Sequence, residues 1–293
     1  MHQLKYYRTQ TSNYRIDNFI RFSEMLKLFG TSLIKTFVFD FFQRYQDLSG
    51  KVIIDIPAGD GHMSAFLKGA GADVKPYDLF PDFFKAEGLK CAEADLADAL
   101  PIESNSADMV LCQEGLEHIP NQLFVLREFN RVLKENGKLI ITVPNISHLR
   151  AKLSYFFTES DLLKRMPANE LDALWFENNG KMYFGHIFLI PIQKLRVLSV
   201  AAGFKIDKLH TVKVSSSSII LGVLYPLIVA INLIAYARNI LKKDSIPKDK
   251  KKKVYWEILM LNIHPTVLFG RHLFIEFTKE SNLSDINMHV NER

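Results

Sequence analysis

The chain has 293 residues, 48% of them hydrophobic, which is enough to bury one large core or a core with an appended element. Its net charge of +5 is local, because residues 238–253 carry eight Lys or Arg against two Asp. A uniformly basic surface for nucleic acid is therefore excluded. The only cysteines, Cys91 and Cys112, lie in apolar stretches and predict buried thiols in a reducing compartment.

The N-terminal part is predicted to be helical. Its first residues are polar and lack the apolar core of a secretory signal, so a cytoplasmic protein is expected. From residue 14 to residue 45, apolar residues recur at helical spacing on both sides of Gly30. These two helices either pack on a sheet or form a lid, residues 1–48, over a ligand cleft.

Residues 51–61, KVIIDIPAGDG, predict a buried strand followed by a glycine-rich turn and a helix. The β-branched run ends at Asp55, and Pro57, Gly59 and Gly61 break the pattern before MSAFLKG. In this arrangement backbone N–H groups and a helix N-terminus face a ligand. A plain tight turn is the alternative interpretation.

The chain then alternates apolar strands and helices. Strands are predicted over 72–77, 89–94, 108–112 and 138–143, with a helix over 121–134. Such alternation implies a parallel sheet with helices on both faces, whose ligand binds at the carboxyl ends of the strands. Asp78 and Asp95 end the second and third strands, where a carboxylate can hold ribose hydroxyls or an exocyclic amine. Helix caps or turns are the alternative roles.

These motifs together resemble a class I S-adenosylmethionine-dependent methyltransferase. The matching pieces are VIIDIPAGDG, the acid in VKPYDLF, EADLAD, ADMVLCQEGLEHIPN and LREFNRVLKENGKLIITVPN. The resemblance implies a Rossmann-like α/β fold, with a seven-stranded sheet in the order 3-2-1-4-5-7-6. It also implies S-adenosylmethionine as the cofactor. The implied cofactor-binding residues are Asp55, Pro57, Gly59, Gly61, Asp78, Leu79, Asp95, Leu96 and Gln113.

The resemblance assigns each residue a part of the cofactor. Asp55 and the two glycines would frame the methionine part, together with the backbone around Gln113, while Asp78 and Leu79 would meet the ribose. Asp95 and Leu96 would meet the adenine. Pro57 departs from the family pattern, since it replaces the usual first glycine and removes one N–H. A nicotinamide-dependent dehydrogenase is the weighed alternative, but Gly59-x-Gly61-x-x-Ser64 matches its G-x-G-x-x-G/A fingerprint imperfectly.

Proton removal from a hydroxyl acceptor would need a base near the fourth strand. His118 is the first candidate, because imidazole titrates near neutral pH, and Glu114 is the second, with Glu117 weaker. Packing or capping is the alternative role of His118. The histidines are scattered without ligand spacing such as HxxxH, so no metal is expected. Residues 145–190, with His148, His186 and several aromatic residues, are expected to cover the acceptor.

The last third of the chain predicts an insertion in the methyltransferase core, which comprises 49–214 and 271–282. The sixth strand is expected over 204–214 and the seventh over 272–279, so 215–270 lies between them, and 283–293 is a flexible tail. Residues 219–237 are uncharged, near the ~20 residues that span a bilayer, but the seventh strand must return to the sheet. An apolar helical hairpin beside a disordered polybasic segment is therefore expected. It would contact either a membrane, through 215–253, or a second copy of the chain.

The function expected from these features is O-methylation of a small-molecule, glycan or lipid-linked acceptor, with the enzyme peripheral on the inner membrane face. The alternative from another class is a catalytically silent methyltransferase fold that serves as a binding or scaffold subunit.

Overall fold

The computed structural model describes residues 33–45, 47–176, 182–243 and 245–283. The chain forms two units, 1–45 and 46–293, which are described separately. In the first unit, helix α1 (Leu33–Arg44) is the second of the two predicted N-terminal helices. The first predicted helix and the predicted tail after residue 283 lie outside the described residues.

Seven strands of the second unit form one sheet. They are β1 (Val52–Asp55), β2 (Asp73–Asp78), β3 (Ala92–Glu93), β4 (Ala107–Gln113), β5 (Leu133–Pro144), β8 (Phe204–Leu209) and β9 (His272–Lys279). Their order is β3-β2-β1-β4-β5-β9-β8, with β9 antiparallel to both of its neighbours. Strands β6 (Leu174–Phe176) and β7 (Met182–Phe184) form a separate hairpin. The predicted order 3-2-1-4-5-7-6 is confirmed, since β8 and β9 are its sixth and seventh strands.

Helices cover the sheet and close its core. They are α2 (His62–Gly69), α3 (Gln122–Val132), α4 (Leu149–Thr158) and α5 (Ile192–Ala201). Short 3-10 turns lie at Pro81–Phe83 and Leu116–His118. The central strands β4 and β5 each contain an apolar run, MVLC and LII, whose two faces are covered, and Val110, Leu111, Ile140 and Ile141 are fully buried.

The edge strand β3 differs from the sequence prediction. It contains two residues, both exposed, where a strand over 89–94 was predicted. Its single neighbour is β2, so only Tyr77 and Asp78 offer partners for its ladder. Cys91 precedes this edge and is only half-buried, which corrects the expectation of two buried thiols, whereas Cys112 is buried.

The insertion between β8 and β9 is helical, as predicted. It contains α6 (Ser216–Ile220), a 3-10 turn (Leu221–Leu224), α7 (Tyr225–Leu241), α8 (Lys248–Ile263) and α9 (Pro265–Phe269). Helices α7 and α8 pack as an antiparallel hairpin. The Tyr225 hydroxyl donates to the carbonyl of Ile263 at one end, and Lys251 Nζ donates to the carbonyl of Lys242 at the other.

The prediction that the polybasic segment is disordered was wrong for residues 248–253. These lysines form the first turns of α8. The physical reason is visible at Lys251, whose stem is buried against the hairpin while its ammonium group lies 2.7 Å from the Lys242 carbonyl oxygen. Composition alone did not contain this tertiary contact.

Residues Ser216–Leu241 form a helical stretch of 26 residues with a mean hydropathy of 2.3, and 6% of its most apolar window is buried. By length and composition it is sufficient to cross a membrane. The following helix α8 nevertheless packs back along α7, and β9 returns to the sheet between β5 and β8. The apolar surface of the insertion therefore belongs to a hairpin beside the core.

Candidate active site at the carboxyl edge of the sheet

The glycine-rich turn after β1 leaves its backbone open. Asp55 is fully buried and accepts a hydrogen bond of 2.5 Å from the Ser64 hydroxyl, which joins the strand end to α2. Gly59 and Gly61 have φ of 55° and 82°. A Cβ on Gly59 would meet no heavy atom within 4 Å, whereas a Cβ on Gly61 would lie 2.6 Å from the Phe84 ring. Only at Gly59 is there room for another molecule to approach the turn.

Asp78 joins the end of β2 to this turn. Its Oδ2 accepts a hydrogen bond of 2.7 Å from the Gly59 N–H, and its Oδ1 accepts one of 2.9 Å from the Phe80 N–H. Leu79 lies between these contacts and is half-buried. A carboxylate oxygen has two lone pairs, so each oxygen of Asp78 keeps one for a further donor.

The ends of β1, β3 and β4 meet around Gly115, where Pro57 and Leu96 lie close to its backbone. A Cβ on Gly115 would lie 2.8 Å from Pro57 Cδ and 3.2 Å from Leu96 Cδ1. Pro57, which replaces the first glycine of the family pattern, therefore packs against the loop after β4. Asp95 accepts a hydrogen bond of 2.8 Å from the Ala97 N–H. This bond is the turn role that is the alternative interpretation of Asp95.

The loop after β4 carries buried polar groups. Gln113 Oε1 is buried and has no hydrogen-bond partner among the described residues. Glu114 has φ of 50°, and its Oε2 lies 3.6 Å from His272 Nε2. Burial raises the pKa of Glu114 to about 7, with the Thr142 hydroxyl opposing it. Burial and then the charge of Glu114 raise the pKa of Glu117 to about 8.

His118 lies against the predicted acceptor cover. Its Nδ1 is 2.8 Å from the carbonyl oxygen of Phe184, which only accepts, so Nδ1 carries the proton and Nε2 carries a lone pair. The His118 and His186 ring centroids are 4.9 Å apart. His118 and Glu114, the two candidate bases, therefore share the loop after β4, and residues 184–188 lie beside it.

Two residues near this site had little or no signal in the sequence. His272 reaches Glu114 only because β9 pairs with β5, where His272 is opposite Pro144. Glu117 ranked third among the candidate bases, and its complete burial depends on the tertiary packing. The sequence predicts a charged loop after an apolar strand, but it does not predict which residues of that loop are buried.

Comparison with known proteins gives one family match and several relatives. The model of the family described as "Methyltransferase domain" matches residues 31–209. Ubiquinone biosynthesis O-methyltransferase of Xanthomonas oryzae pv. oryzae (strain PXO99A) is 30% identical over 36% of this chain and 48% of its own. The enzyme with the same name from Methylococcus capsulatus is 30% identical over 46% of this chain and 61% of its own. The chain thus spans about half the length of the curated relatives it matches.

Structural comparison agrees at the level of the fold. A SAM-dependent methyltransferase from Archaeoglobus fulgidus has a TM-score of 0.50 and 16% identity, and the match covers 88% of this chain and 99% of that one. The family model covers more than half of the chain, and the strand order is that expected for the class. The chain therefore belongs to the class I S-adenosylmethionine-dependent methyltransferases, and its cofactor is S-adenosylmethionine.

Proposed function

We propose that this protein binds S-adenosylmethionine at the carboxyl edge of the sheet. It then transfers the methyl group to an oxygen of a small-molecule, glycan or lipid-linked acceptor at a membrane surface. The observation that carries the proposal is that three polar features lie at the carboxyl ends of neighbouring strands. They are the open backbone at Gly59, the carboxylate of Asp78 and the buried amide oxygen of Gln113, which has no hydrogen-bond partner among the described residues.

The polar groups at this edge fit the chemistry of the cofactor. The free lone pairs of Asp78 suit two adjacent ribose hydroxyls, with Leu79 against the sugar. The buried Gln113 Oε1 suits a charged amine such as that of the methionine part. Asp95 and Leu96 would contact the adenine. Asp55 stabilises the turn by accepting a hydrogen bond from the Ser64 hydroxyl.

When bound, S-adenosylmethionine supplies a methyl group on a positively charged sulfur, so the protein has to align an acceptor and remove its proton. Positioning contributes much of the rate of such an in-line transfer. Two groups of this loop would take the proton. His118 would do so through Nε2, since its Nδ1 bonds to the Phe184 carbonyl, and Glu114, 3.6 Å from His272, is the second candidate.

Two observations support an oxygen acceptor near a membrane. The matched relatives are named O-methyltransferases. The insertion also exposes large apolar side chains at helical spacing, namely Ile220, Val223, Leu227, Ile231, Ile234 and Leu241. The lysine-rich start of α8 lies beside the end of α7, so an apolar stripe and a basic patch share one hairpin. This combination is typical of proteins that bind anionic lipid surfaces.

Titration calorimetry with S-adenosylmethionine and its demethylated product tests the cofactor site, with the wild type and Asp78→Ala compared. Binding to the wild type that is lost or greatly weakened in Asp78→Ala supports the proposal. A folded wild type that binds neither compound overturns it. Binding without methyl transfer to any lipid or glycan extract would favour the scaffold function instead.

A further inference from the structure

Three potential metal ligands meet beside the loop after β4. They are Glu117, His118 and His186, and one ligand atom from each lies within 4.8 Å of the other two. Glu117 and His118 are adjacent in the 3-10 turn that follows β4, whereas His186 follows the β6–β7 hairpin. The cluster therefore exists only because two distant segments are brought together.

Hydrogen bonds hold the two segments in contact. The Phe188 N–H donates to the carbonyl of Glu117 at 3.0 Å, and Gln122 Nε2 donates to the carbonyl of Phe188 at 2.6 Å. With the His118–Phe184 bond, three contacts bracket His186 on both sides. His186 itself is exposed.

The carboxyl group of Glu117 gives a second observation, independent of the cluster geometry, that points to a bound cation. Its side chain is 0% exposed, and neither carboxylate oxygen bonds to another residue within the described part of the chain. A buried carboxyl group without a hydrogen-bond partner is costly in either protonation state, and a cation beside it would stabilise the ionised form. The two imidazole rings of the cluster, those of His118 and His186, offer ring nitrogens that can bind a metal ion.

The donor set matches a transition-metal site. Two imidazoles and one carboxylate are the ligands of catalytic zinc sites that keep a position open for substrate. Zinc ligands in tetrahedral sites lie about 3.4 Å from one another, so the three ligand atoms, which lie within 4.8 Å, would have to draw closer around an ion. The His118 Nδ1–H bond to Phe184 is the second-shell contact that orients a metal-binding imidazole through its Nε2.

We propose that Glu117, His118 and His186 bind a divalent transition-metal ion of the Zn²⁺ type, whose open position takes the acceptor oxygen. The role of the ion in this inference rests on the proposed methyl transfer. The evidence for the ion site is the cluster of side chains itself. The sequence predicted no metal because no two histidines have ligand spacing, and a site assembled from two segments lacks that signal.

The ion changes the role of His118 from base to ligand. An acceptor hydroxyl bound to the ion loses its proton more readily, and the proton passes to Glu114 or to water. The oxygen then forms a bond to the methyl carbon while the carbon–sulfur bond breaks. The sulfonium keeps that electron pair and leaves as a neutral thioether.

Calorimetric titration of the metal-free protein, 293 residues in length, with Zn²⁺ alone tests the site, and the Co²⁺-substituted protein provides a visible absorption spectrum. We expect one tight site in the wild type, weakened at least 10-fold in Glu117→Gln and in His186→Asn. The His186 substitution is on the surface, so it tests the site even if the buried substitution impairs folding. His210→Gln, which alters a histidine paired with Glu276 outside the cluster, should leave Zn²⁺ binding unchanged.

Equal Zn²⁺ affinity in the wild type, Glu117→Gln and His186→Asn overturns the site. Loss of the tight site in His210→Gln alone would likewise place the ion elsewhere. Separate titration with S-adenosylmethionine distinguishes the two proposals. Binding of Zn²⁺ through the cluster without binding of S-adenosylmethionine would support the ion site and overturn the proposed function. Binding of S-adenosylmethionine without binding of Zn²⁺ would support the proposed function and overturn the ion site.

Discussion

Asp78 accepts a hydrogen bond of 2.7 Å from the backbone N–H of Gly59, 19 residues earlier in the chain. The contact ties the end of β2 to the open turn after β1. The carboxylate proposed to hold the cofactor ribose therefore also holds the backbone proposed to face the methionine part. One side chain couples the two halves of the site, and substitutions at Asp78 should affect both.

Asp78→Asn should weaken S-adenosylmethionine binding at least about 10-fold. The amide keeps one acceptor oxygen but places an NH₂ group against a backbone N–H, and it loses the charge that strengthens both bonds. Calorimetry measures the affinity. Asp73→Asn is the matched control on the same strand, since the exposed Asp73 pairs with Lys75 at the surface. Equal affinities of the two variants would contradict the role of Asp78.

Gly59→Ala should lower cofactor affinity beyond its effect on stability. The left-handed φ of 55° costs alanine about 1 kcal/mol, and the new methyl group points into the space proposed for the ligand. Gly50→Ala is the control, because Gly50 has φ of 69° and an equally open Cβ direction away from the site.

Thermal unfolding and calorimetry of both alanine variants separate the two effects. The two midpoints should shift by a similar amount, while only Gly59→Ala loses cofactor affinity. If Gly50→Ala lost as much affinity, backbone strain rather than ligand approach would explain the result.

His148 should make the protein less stable as the pH falls from about 6.5 to about 4. Its Nδ1 caps α4 by accepting from the Ala151 N–H and also lies 3.2 Å from the Ser218 hydroxyl. Burial, with the charge of Arg150, lowers its pKa from 6.5 to about 4. The unfolded chain binds a proton first, so stability is present above pH 6.5, declines between these values and is constant below them.

The surrounding charges that act on His148 are those of Arg150, Asp161, Arg271 and His272, and only Asp161 favours protonation. His148→Asn keeps an N-cap acceptor without a titrating group. Urea unfolding at pH 7 and pH 4.5 should show a smaller loss of stability in the variant than in the wild type. The same loss in both proteins would assign the pH dependence to other groups.

Val223→Glu should reduce association with anionic vesicles in flotation assays. Val223 is 79% exposed within the apolar stripe of the insertion, and a carboxylate there opposes both apolar insertion and the negative surface. Val200→Glu places the same change on α5, where Val200 is 54% exposed, and should leave flotation unchanged. A wild type that does not float but forms a dimer in solution would assign the stripe to a second copy of the chain.

The methyltransferase core was largely predictable because its signals are local. Apolar runs ending in Asp55 and Asp78, the glycines between them and the regular alternation of strands and helices all depend on short stretches of chain. The bounds of β9 were predicted as observed because charged and glycine residues flank its apolar run. Edge elements were less predictable, as β3 shows, because their length depends on a neighbour rather than on their own residues.

Short stretches of the chain predicted the alternation of strands and helices and the polar groups at the carboxyl edge of the sheet, because strand periodicity and turn chemistry depend on consecutive residues. The strand order, which the structure confirms, followed from the resemblance to the methyltransferase family that these stretches carry. Which side chains meet at this edge depends on contacts between distant segments, and the packed fold makes those contacts. Glu117 becomes a buried carboxylate beside His118 and His186, and His272 reaches Glu114 through the pairing of β5 with β9. Lys251, in the first turn of α8, likewise donates a hydrogen bond to the Lys242 carbonyl. These contacts join segments that are distant in sequence, so their energies depend on the packed fold and leave no local pattern.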